Sequence, residues 1–276
     1  MSQKAKPLVV ILGETASGKS KVALDLAKRL DGEIICADSW TVRQELSIGT
    51  DKPNAKDRQA VPHHLLDVID PCSDFTAAVF KTLALKSIED VSVRGKLPIL
   101  VGGSGLYIDS VIFDYGFLKP SEPKLREELN QLSVEQLIEK IHELGLTIAD
   151  NVDQRNKRRL IRLIENDGLS PEKGNLRENT LVIGVKLEQA ELKKAIENRV
   201  NLMISRGILS EKYGWNCEAL KGVGYKQWQR YFEGSQTLEE TKQQIISATN
   251  NLAKKQRTWF KKKQKYSLAF TTCLCR

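Results

Sequence analysis

The stretch Pro7-Leu-Val-Val-Ile-Leu-Gly13-Glu-Thr-Ala-Ser-Gly18-Lys19-Ser20 decides the fold of this 276-residue chain. Its first half is a continuous apolar run rich in β-branched residues, which is typical of a strand buried on both faces of a parallel sheet. Its second half matches the pattern G-x(4)-G-K-[ST], and apolar residues at helical spacing follow it. A strand, a glycine-rich loop and a helix in this order predict a phosphate-binding P-loop, the 13–20 loop.

The 13–20 loop carries the groups that bind a diphosphate. Its glycines let backbone amides approach phosphate oxygens at the positive end of a helix, Lys19 adds a charge, and Ser20 can ligate Mg²⁺. The residues expected to bind the diphosphate are Gly13, Thr15, Ala16, Ser17, Gly18, Lys19 and Ser20. The motif does not identify the group attached to the phosphates, so an ATP-binding kinase, an ATPase and a transferase all stay open.

Further buried strands alternate with helices along the chain. Residues 33–38 and 96–102 have the composition of strands, residues 74–94 have helical periodicity, and residues 180–187 alternate like a strand again. This alternation predicts a P-loop NTPase-like α/β fold, in which helices flank a parallel sheet.

Small and polar residues stand where the predicted strands end. Asp38-Ser39 and Gly102-Gly-Ser104 each follow an apolar run. Ligands in open parallel sheets bind beyond the carboxyl ends of the strands. These residues are therefore candidates for the same site as the 13–20 loop.

Two prolines, Pro120 and Pro123, interrupt the pattern before a charged, mostly helical stretch. We predict the first part of the P-loop core over residues 1–117, a helical insertion over 118–179, and a return to the core with a basic C-terminal helix over 180–276.

Composition narrows the class of protein. Lys and Arg number 43 against 35 Asp and Glu, so the net charge of +8 favours an anionic partner, with a merely solubilising charge as the alternative. The cysteines form no CxxC pair, and with three histidines there is no metal-ligand spacing. No apolar stretch approaches the roughly 20 residues that span a bilayer, so we expect a cytoplasmic protein without membrane contacts.

Eight motifs, in order and at matching spacing, resemble the tRNA dimethylallyltransferase family (tRNA isopentenyltransferases). The resemblance covers the chain from Leu8 to about Lys261. The motifs are Gly-Glu-Thr-Ala-Ser-Gly-Lys-Ser (13–20), Ala-Asp-Ser (37–39), Ile-Gly-Thr-Asp-Lys-Pro (48–53), His-His-Leu-Leu-Asp (63–67), Val-Gly-Gly-Ser-Gly-Leu-Tyr (101–107), Arg-Arg-Leu-Ile-Arg (158–162), Gly-Val-Gly-Tyr-Lys (222–226) and Gln-Arg-Thr-Trp-Phe (256–260).

The resemblance implies transfer of the dimethylallyl group of dimethylallyl diphosphate to N6 of adenosine 37, 3′ of the anticodon, in tRNAs that read codons starting with U. Lys19 and Mg²⁺ would stabilise the departing diphosphate. Asp38 is the candidate general base, with a helix cap or a magnesium ligand as the alternative. Ser104 replaces a family threonine that contacts the adenosine. Arg199 would face the diphosphate.

An adenine in the anticodon stem-loop must be flipped out to react, and backbone contacts repay that cost. Two basic segments, 154–162 and 254–265, could supply these contacts, so the 118–179 insertion would contribute tRNA contacts; a solvated charged face is the alternative. The residues expected to contact tRNA are Asp38, Ser39, Trp40, Thr41, Ser104, Arg126, Arg158, Arg159, Arg162, Lys255 and Arg257. Trp259 could stack on a base or anchor its helix in the core.

One stretch departs from the family pattern. After Asp38-Ser39 the family usually shows a glutamine two residues on and a tyrosine soon after, whereas this chain reads Trp40-Thr-Val-Arg43. Detailed contacts to the acceptor base are therefore in question. An adenylate dimethylallyltransferase that acts on free AMP and a catalytically silent tRNA-binding relative stay open as alternatives. We expect a monomer.

Overall fold

The computed structural model describes residues 6–118, 122–150, 152–208, 218–261 and 269–272. The chain divides into two compact units, of which the first is Met1–Ile112 with Leu176–Arg276 and the second is Phe113–Asn175. The sequence pattern predicts limits of 118 and 179 for the inserted lobe.

A parallel sheet in the order β3-β2-β4-β1-β5-β6 forms the centre of the first unit. The strands are β1 (Leu8–Gly13), β2 (Gly32–Ala37), β3 (His63–His64), β4 (Leu97–Gly102), β5 (Thr180–Lys186) and β6 (Ala269–Thr272). The helices are α1 (Lys19–Arg29), α2 (Ala55–Ala60), α3 (Ala77–Val93), α4 (Gly105–Ile112), α5 (Pro123–Gln131), α6 (Val134–Glu143), α7 (Lys157–Glu165), α8 (Gln189–Ser205), α9 (Tyr225–Phe232) and α10 (Leu238–Lys261), with a 3-10 helix at Glu218–Lys221.

The predicted fold class is confirmed, since every strand pair of this sheet is parallel and helices flank it. The central strand β1 is buried along its whole length, as its apolar composition requires. Helix α1 turns Ala23 and Ala27 toward the sheet, where they pack with Ile11, Ile34 and Val101. These small side chains let the helix lie close to the strands.

Three neighbouring strands, β2, β4 and β1, end at the same edge of the sheet. Gly102 of β4 pairs with Ala37 of β2 on one side and with Leu12 of β1 on the other. A Cβ on Gly102 would lie 2.6 Å from the carbonyl carbon of Ala37, so only glycine permits this approach. The segments that leave these three strands therefore begin side by side.

The second unit has a core of its own. Helices α5, α6 and α7 contribute Leu129, Leu137 and Ile141 together with buried residues of α7. A capping box at Ser133 and Gln136 starts α6. The basic segment 154–162 begins before α7, and its Arg155 pairs with Asp153 ahead of the helix.

No helix in the described part of the chain combines the length and the apolarity that a bilayer crossing demands.

Candidate functional site

A cleft of the first unit opens where the predicted site residues meet. Lys19, Ser20, Asp38 and Arg199 all line it, although they come from three separate parts of the chain. Thr15, Trp40, Thr41 and Gly102 line it as well. The parallel topology explains this meeting, because the strand ends at β1, β2 and β4 share one edge of the sheet.

The 13–20 loop has the backbone of an anion-binding turn. Ala16 and Gly18 have φ values of 61° and 86°, and Gly18 is the N-cap of α1. Alternation of left- and right-handed residues turns backbone amides inward, which is how such loops make a concave site for phosphate. The buried hydroxyl of Ser17 has no partner among the described residues, so a ligand oxygen could supply one.

The pKa of Lys19 depends on its burial and on the charged groups around it. Its Nζ donates to the Glu14 carbonyl oxygen at 3.2 Å. Burial lowers the pKa of Lys19 to about 8, while Asp38 and Asp51 oppose that shift and Arg199 adds to it. A dianionic or more highly charged ligand would relieve the cost of burying this cation.

Side chains of helices α8 and α10 form hydrogen bonds with the 13–20 loop. Arg199 of α8 donates to the Thr15 hydroxyl at 2.6 Å. Gln256 of α10 accepts from the Thr15 amide at 2.7 Å, and Arg257 binds both oxygens of the buried Glu14. The sequence missed Glu14 and Gln256, and it assigned Arg257 to tRNA although its guanidinium here lies against Glu14.

Asp38 and Ser104 lie close together beyond β2 and β4. One Asp38 oxygen accepts from the amides of Trp40 at 2.8 Å and Thr41 at 3.4 Å, so it caps the turn that follows β2. The Ser39 amide donates to the Ser104 hydroxyl at 3.3 Å. The carboxylate therefore has a fixed orientation in the cleft wall, as a positioned base requires.

The carboxylate of Asp38 also influences the pKa of two neighbouring groups, Cys36 and Tyr107. Burial raises the pKa of the Cys36 thiol to about 12, and Asp38 adds to that rise. The same two causes raise the pKa of Tyr107 to about 12. Both groups are therefore neutral near pH 7, and neither supplies a competing anion beside Asp38.

Residues 40–43, where the chain departs from the family pattern, contribute Trp40 and Thr41 to the cleft wall. Trp40 packs on Gly222, where a Cβ would come within 2.8 Å of the indole ring. Arg43 is buried and donates to the carbonyl oxygens of Pro71 at 2.6 Å and Ser73 at 2.7 Å. Arg43 thus ties the wall to the segment that precedes α3.

Thr50, Lys52 and Asp67 belong to the 48–53 and 63–67 motifs that resemble the family. Thr50 lines the cleft. Lys52 is buried and donates to Asp67 and to the Arg43 carbonyl oxygen, each at 2.5 Å, and Arg58 donates to the other Asp67 oxygen at 2.7 Å. Burial alone would raise the pKa of Asp67, but these hydrogen bonds lower it. Lys52 and Asp67 therefore fasten two loops behind the cleft.

The predicted tRNA contacts of the second unit lie on its surface. Arg158 and Arg159 are exposed on α7, whereas Arg126 and Arg162 both donate to Glu165, whose side chain is fully buried. One carboxylate thus orders two half-exposed guanidinium groups.

The basic segment 254–265 belongs to α10 as far as Lys261, and its residues 262–265 lie outside the described residues. Lys255 is exposed. Trp259 donates to the buried Asp109 at 2.9 Å and packs against Gly105. Trp259 therefore anchors α10 on α4.

Among the described residues, no group of three or more His, Cys, Asp or Glu side chains could hold a metal ion by itself. The hydroxyl of Ser20 and the carboxylate of Asp38 nevertheless face one cleft. Mg²⁺ commonly takes one or two protein oxygens and completes its shell with phosphate oxygens and water. This donor set fits a magnesium ion that arrives with a diphosphate.

Comparison with known families decides where the chain belongs. The profile of the IPP transferase family matches residues 41–263. The chain belongs to the IPP transferase family.

Individual relatives agree with this assignment. A tRNA dimethylallyltransferase of Anoxybacillus flavithermus is 40% identical over 92% of this chain and 87% of its own. The crystal structure of the tRNA isopentenylpyrophosphate transferase of Bacillus halodurans superimposes with a TM-score of 0.74 at 34% identity, covering 97% of this chain and 90% of the other.

A eukaryotic dimethylallyltransferase, described as acting on tRNA, has a TM-score of 0.80 at 24% identity and covers 99% of this chain and 75% of the other. At this identity the likeness shows the fold alone. The chain therefore covers at least 75% of the length of each of these three proteins.

The lowered pKa of Lys19 predicts pH-dependent binding of a diphosphate. In the free protein the Lys19 cation is lost as pH rises through about 8. A bound diphosphate stabilises the cation and raises its pKa, so binding takes up a proton above that pH. The affinity for inorganic pyrophosphate, measured by calorimetry from pH 7 to about pH 9.5, should fall by up to about tenfold per pH unit relative to a Lys19→Arg variant.

Lys19→Arg is the control because a guanidinium keeps its charge over this range, so its curve contains only the ionisation of pyrophosphate itself. Parallel curves for the wild type and the variant would contradict the assignment.

Proposed function

We propose that this protein transfers the dimethylallyl group of dimethylallyl diphosphate to N6 of adenosine 37, 3′ of the anticodon, in tRNAs that read codons starting with U. One observation carries the proposal: the 13–20 loop and Asp38 face the same cleft, so a diphosphate and a proton acceptor meet there. The family assignment and the names of the relatives support the choice of a prenyl donor and of tRNA.

The residues of the cleft divide the chemistry between them. The bond between the donor's C1 and its diphosphate oxygen breaks, and the electron pair stays on the diphosphate beside Lys19, Arg199 and the loop amides. A bond forms between C1 and N6 of the adenine. The proton released from N6 passes to the carboxylate of Asp38. Stabilisation of the charge on the leaving group is commonly the largest contribution in such transfers.

Magnesium is part of the proposal. When bound, Mg²⁺ would neutralise charge on the diphosphate and so improve it as a leaving group. Ser20 is the residue that would hold it, through its hydroxyl, with phosphate oxygens and water completing the shell. Asp38 is assigned to the base, and magnesium binding is the alternative role for its carboxylate.

The acceptor would reach the cleft as a flipped nucleotide, with Ser104, Trp40 and Thr41 beside the base. Exposed cations on α7 and at Lys255 support an electrostatic contribution to tRNA affinity. Arg257 is withdrawn from this set, because it pairs with Glu14. We also propose that the enzyme acts as a cytoplasmic monomer.

A labelling experiment tests the function. The protein is incubated with labelled dimethylallyl diphosphate, Mg²⁺ and either an unmodified anticodon stem-loop or AMP. We expect label in the RNA, at the adenosine 3′ of the anticodon, and none in AMP. Label in AMP alone would favour an adenylate dimethylallyltransferase, and label in neither would favour a silent tRNA-binding relative.

Asp38→Asn tests the general base. The amide oxygen of asparagine can still accept from the Trp40 and Thr41 amides, so the turn should persist while the proton acceptor is removed. We expect kcat to fall by roughly two to four orders of magnitude, with tRNA affinity unchanged. Asp90→Asn, an exposed carboxylate on α3, is the matched control. A near wild-type kcat in Asp38→Asn would remove Asp38 from this role.

The exposed cations of α7 predict a salt-dependent affinity. Replacing Arg158 and Arg159 by Gln should reduce the slope of log affinity against log salt by about 0.7–0.9 for each RNA phosphate that these arginines neutralise. Binding of an anticodon stem-loop at several salt concentrations measures this slope. The control replaces Lys28 and Arg29, two adjacent exposed cations in the last turn of α1, which should leave the slope unchanged. Equal slopes in both double variants would show that α7 only carries a solvated face.

A further inference from the structure

Gln256 contacts two loops of the site at once. Its Oε1 accepts from the Thr15 amide at 2.7 Å. Its Nε2 lies so close to the loop after β4 that a Cβ on Gly103 would be 2.5 Å away. Gln256 also lines the cleft. A single side chain therefore joins the diphosphate loop to the loop that carries Ser104.

Thr15 is held from two directions as a result. Gln256 fixes its backbone amide, and Arg199 fixes its hydroxyl at 2.6 Å. Thr15 itself is 8% exposed and borders the cleft. Two hydrogen bonds on opposite ends of one small residue leave it little freedom to turn.

Successive residues of α10 hold successive residues of the 13–20 loop. Arg257 binds the carboxylate of Glu14, with its Nη2 at 3.0 Å from Oε2, and the Glu14 side chain is 4% exposed. Trp259 fastens the same turn of α10 to Asp109 of α4. The position of Gln256 is therefore set by its neighbours, and a movement of its side chain would be transmitted to Thr15.

We infer that Gln256 is a positioning residue for prenyl transfer. Through Thr15 it sets the diphosphate loop, and against Gly103 it sets the distance from that loop to the acceptor side of the cleft. The inference rests on the proposed function. It assigns to Gln256 a role in aligning donor and acceptor, which needs precise placement because small displacements of reacting groups are costly in rate.

Two substitutions distinguish positioning beside the diphosphate from simple packing of α10. Gln256→Ala removes the interactions with both loops. Gln256→Glu keeps the shape and an oxygen for the Thr15 amide, but it places a negative charge next to the diphosphate. A packing role predicts that Glu, which conserves volume, is the milder change. Positioning beside the diphosphate predicts that Glu is the more damaging one.

The variants are assayed for kcat, for the KM of each substrate with an anticodon stem-loop as acceptor, and for binding of inorganic pyrophosphate by calorimetry. Gln256→Ala should weaken pyrophosphate binding and lower kcat by about three- to tenfold each, as expected for removal of one hydrogen bond. Gln256→Glu should weaken both further. The KM for the RNA should stay within about twofold in both variants, because misalignment of bound donor and acceptor lowers kcat rather than the affinity for the acceptor.

Thr258→Ala is the matched control, because Thr258 is exposed on the same helix and its hydroxyl donates to the Lys254 carbonyl oxygen. Gln256 variants that match Thr258→Ala in kcat and in pyrophosphate binding would overturn the inference, as would a parallel decrease in thermal stability and in both substrate affinities. If the wild type transfers no label to RNA, the proposed function fails, and pyrophosphate binding then tests only whether Gln256 positions the 13–20 loop.

Discussion

The close approach of β2 and β4 at their carboxyl ends is the constraint on which the site depends. Gly102 has no side chain, so the Ala37 carbonyl group can lie where a Cβ would stand. The next residues of both strands then meet, and the Ser39 amide reaches the Ser104 hydroxyl. A bulkier residue at this position would separate the segment that carries Asp38 from the segment that carries Ser104. The spacing between the segments of Asp38 and Ser104 therefore originates in the backbone of the sheet.

Two ion pairs, each with one buried partner, hold the loops that follow the strands. Arg257 pairs with Glu14, and Lys52 pairs with Asp67, in each case with one partner almost wholly buried. Desolvation offsets much of the attraction in such pairs, so their net contribution to stability is small, whereas loss of one partner is costly. Their effect here is to make one loop conformation far better than its alternatives, which suits a site that must hold a highly charged ligand.

The sequence predicted the sheet well where strands are long and apolar. Strands β1, β2, β4 and β5 were found because they are runs of six or seven residues. Strands β3 and β6 were missed because two and four residues show no periodicity. The meeting of Lys19 and Asp38 was also predictable, because topology alone brings strand ends together. Arg257 and Glu14 are 243 positions apart, and no local pattern indicates which cation of α10 turns toward the loop.

Residues 40–43, where the chain departs from the family pattern, have different places in the cleft. Arg43 is buried in the wall, where its guanidinium donates to the carbonyl oxygens of Pro71 and Ser73. Lys52 donates in turn to the carbonyl oxygen of Arg43. Thr41 remains at the cleft, and its buried hydroxyl has no partner among the described residues. An unpaired buried hydroxyl costs about 1–3 kcal/mol, a cost that a hydrogen bond to a ligand would remove. Under the proposed function, the departure would change the contacts to the acceptor base and leave the 13–20 loop unchanged.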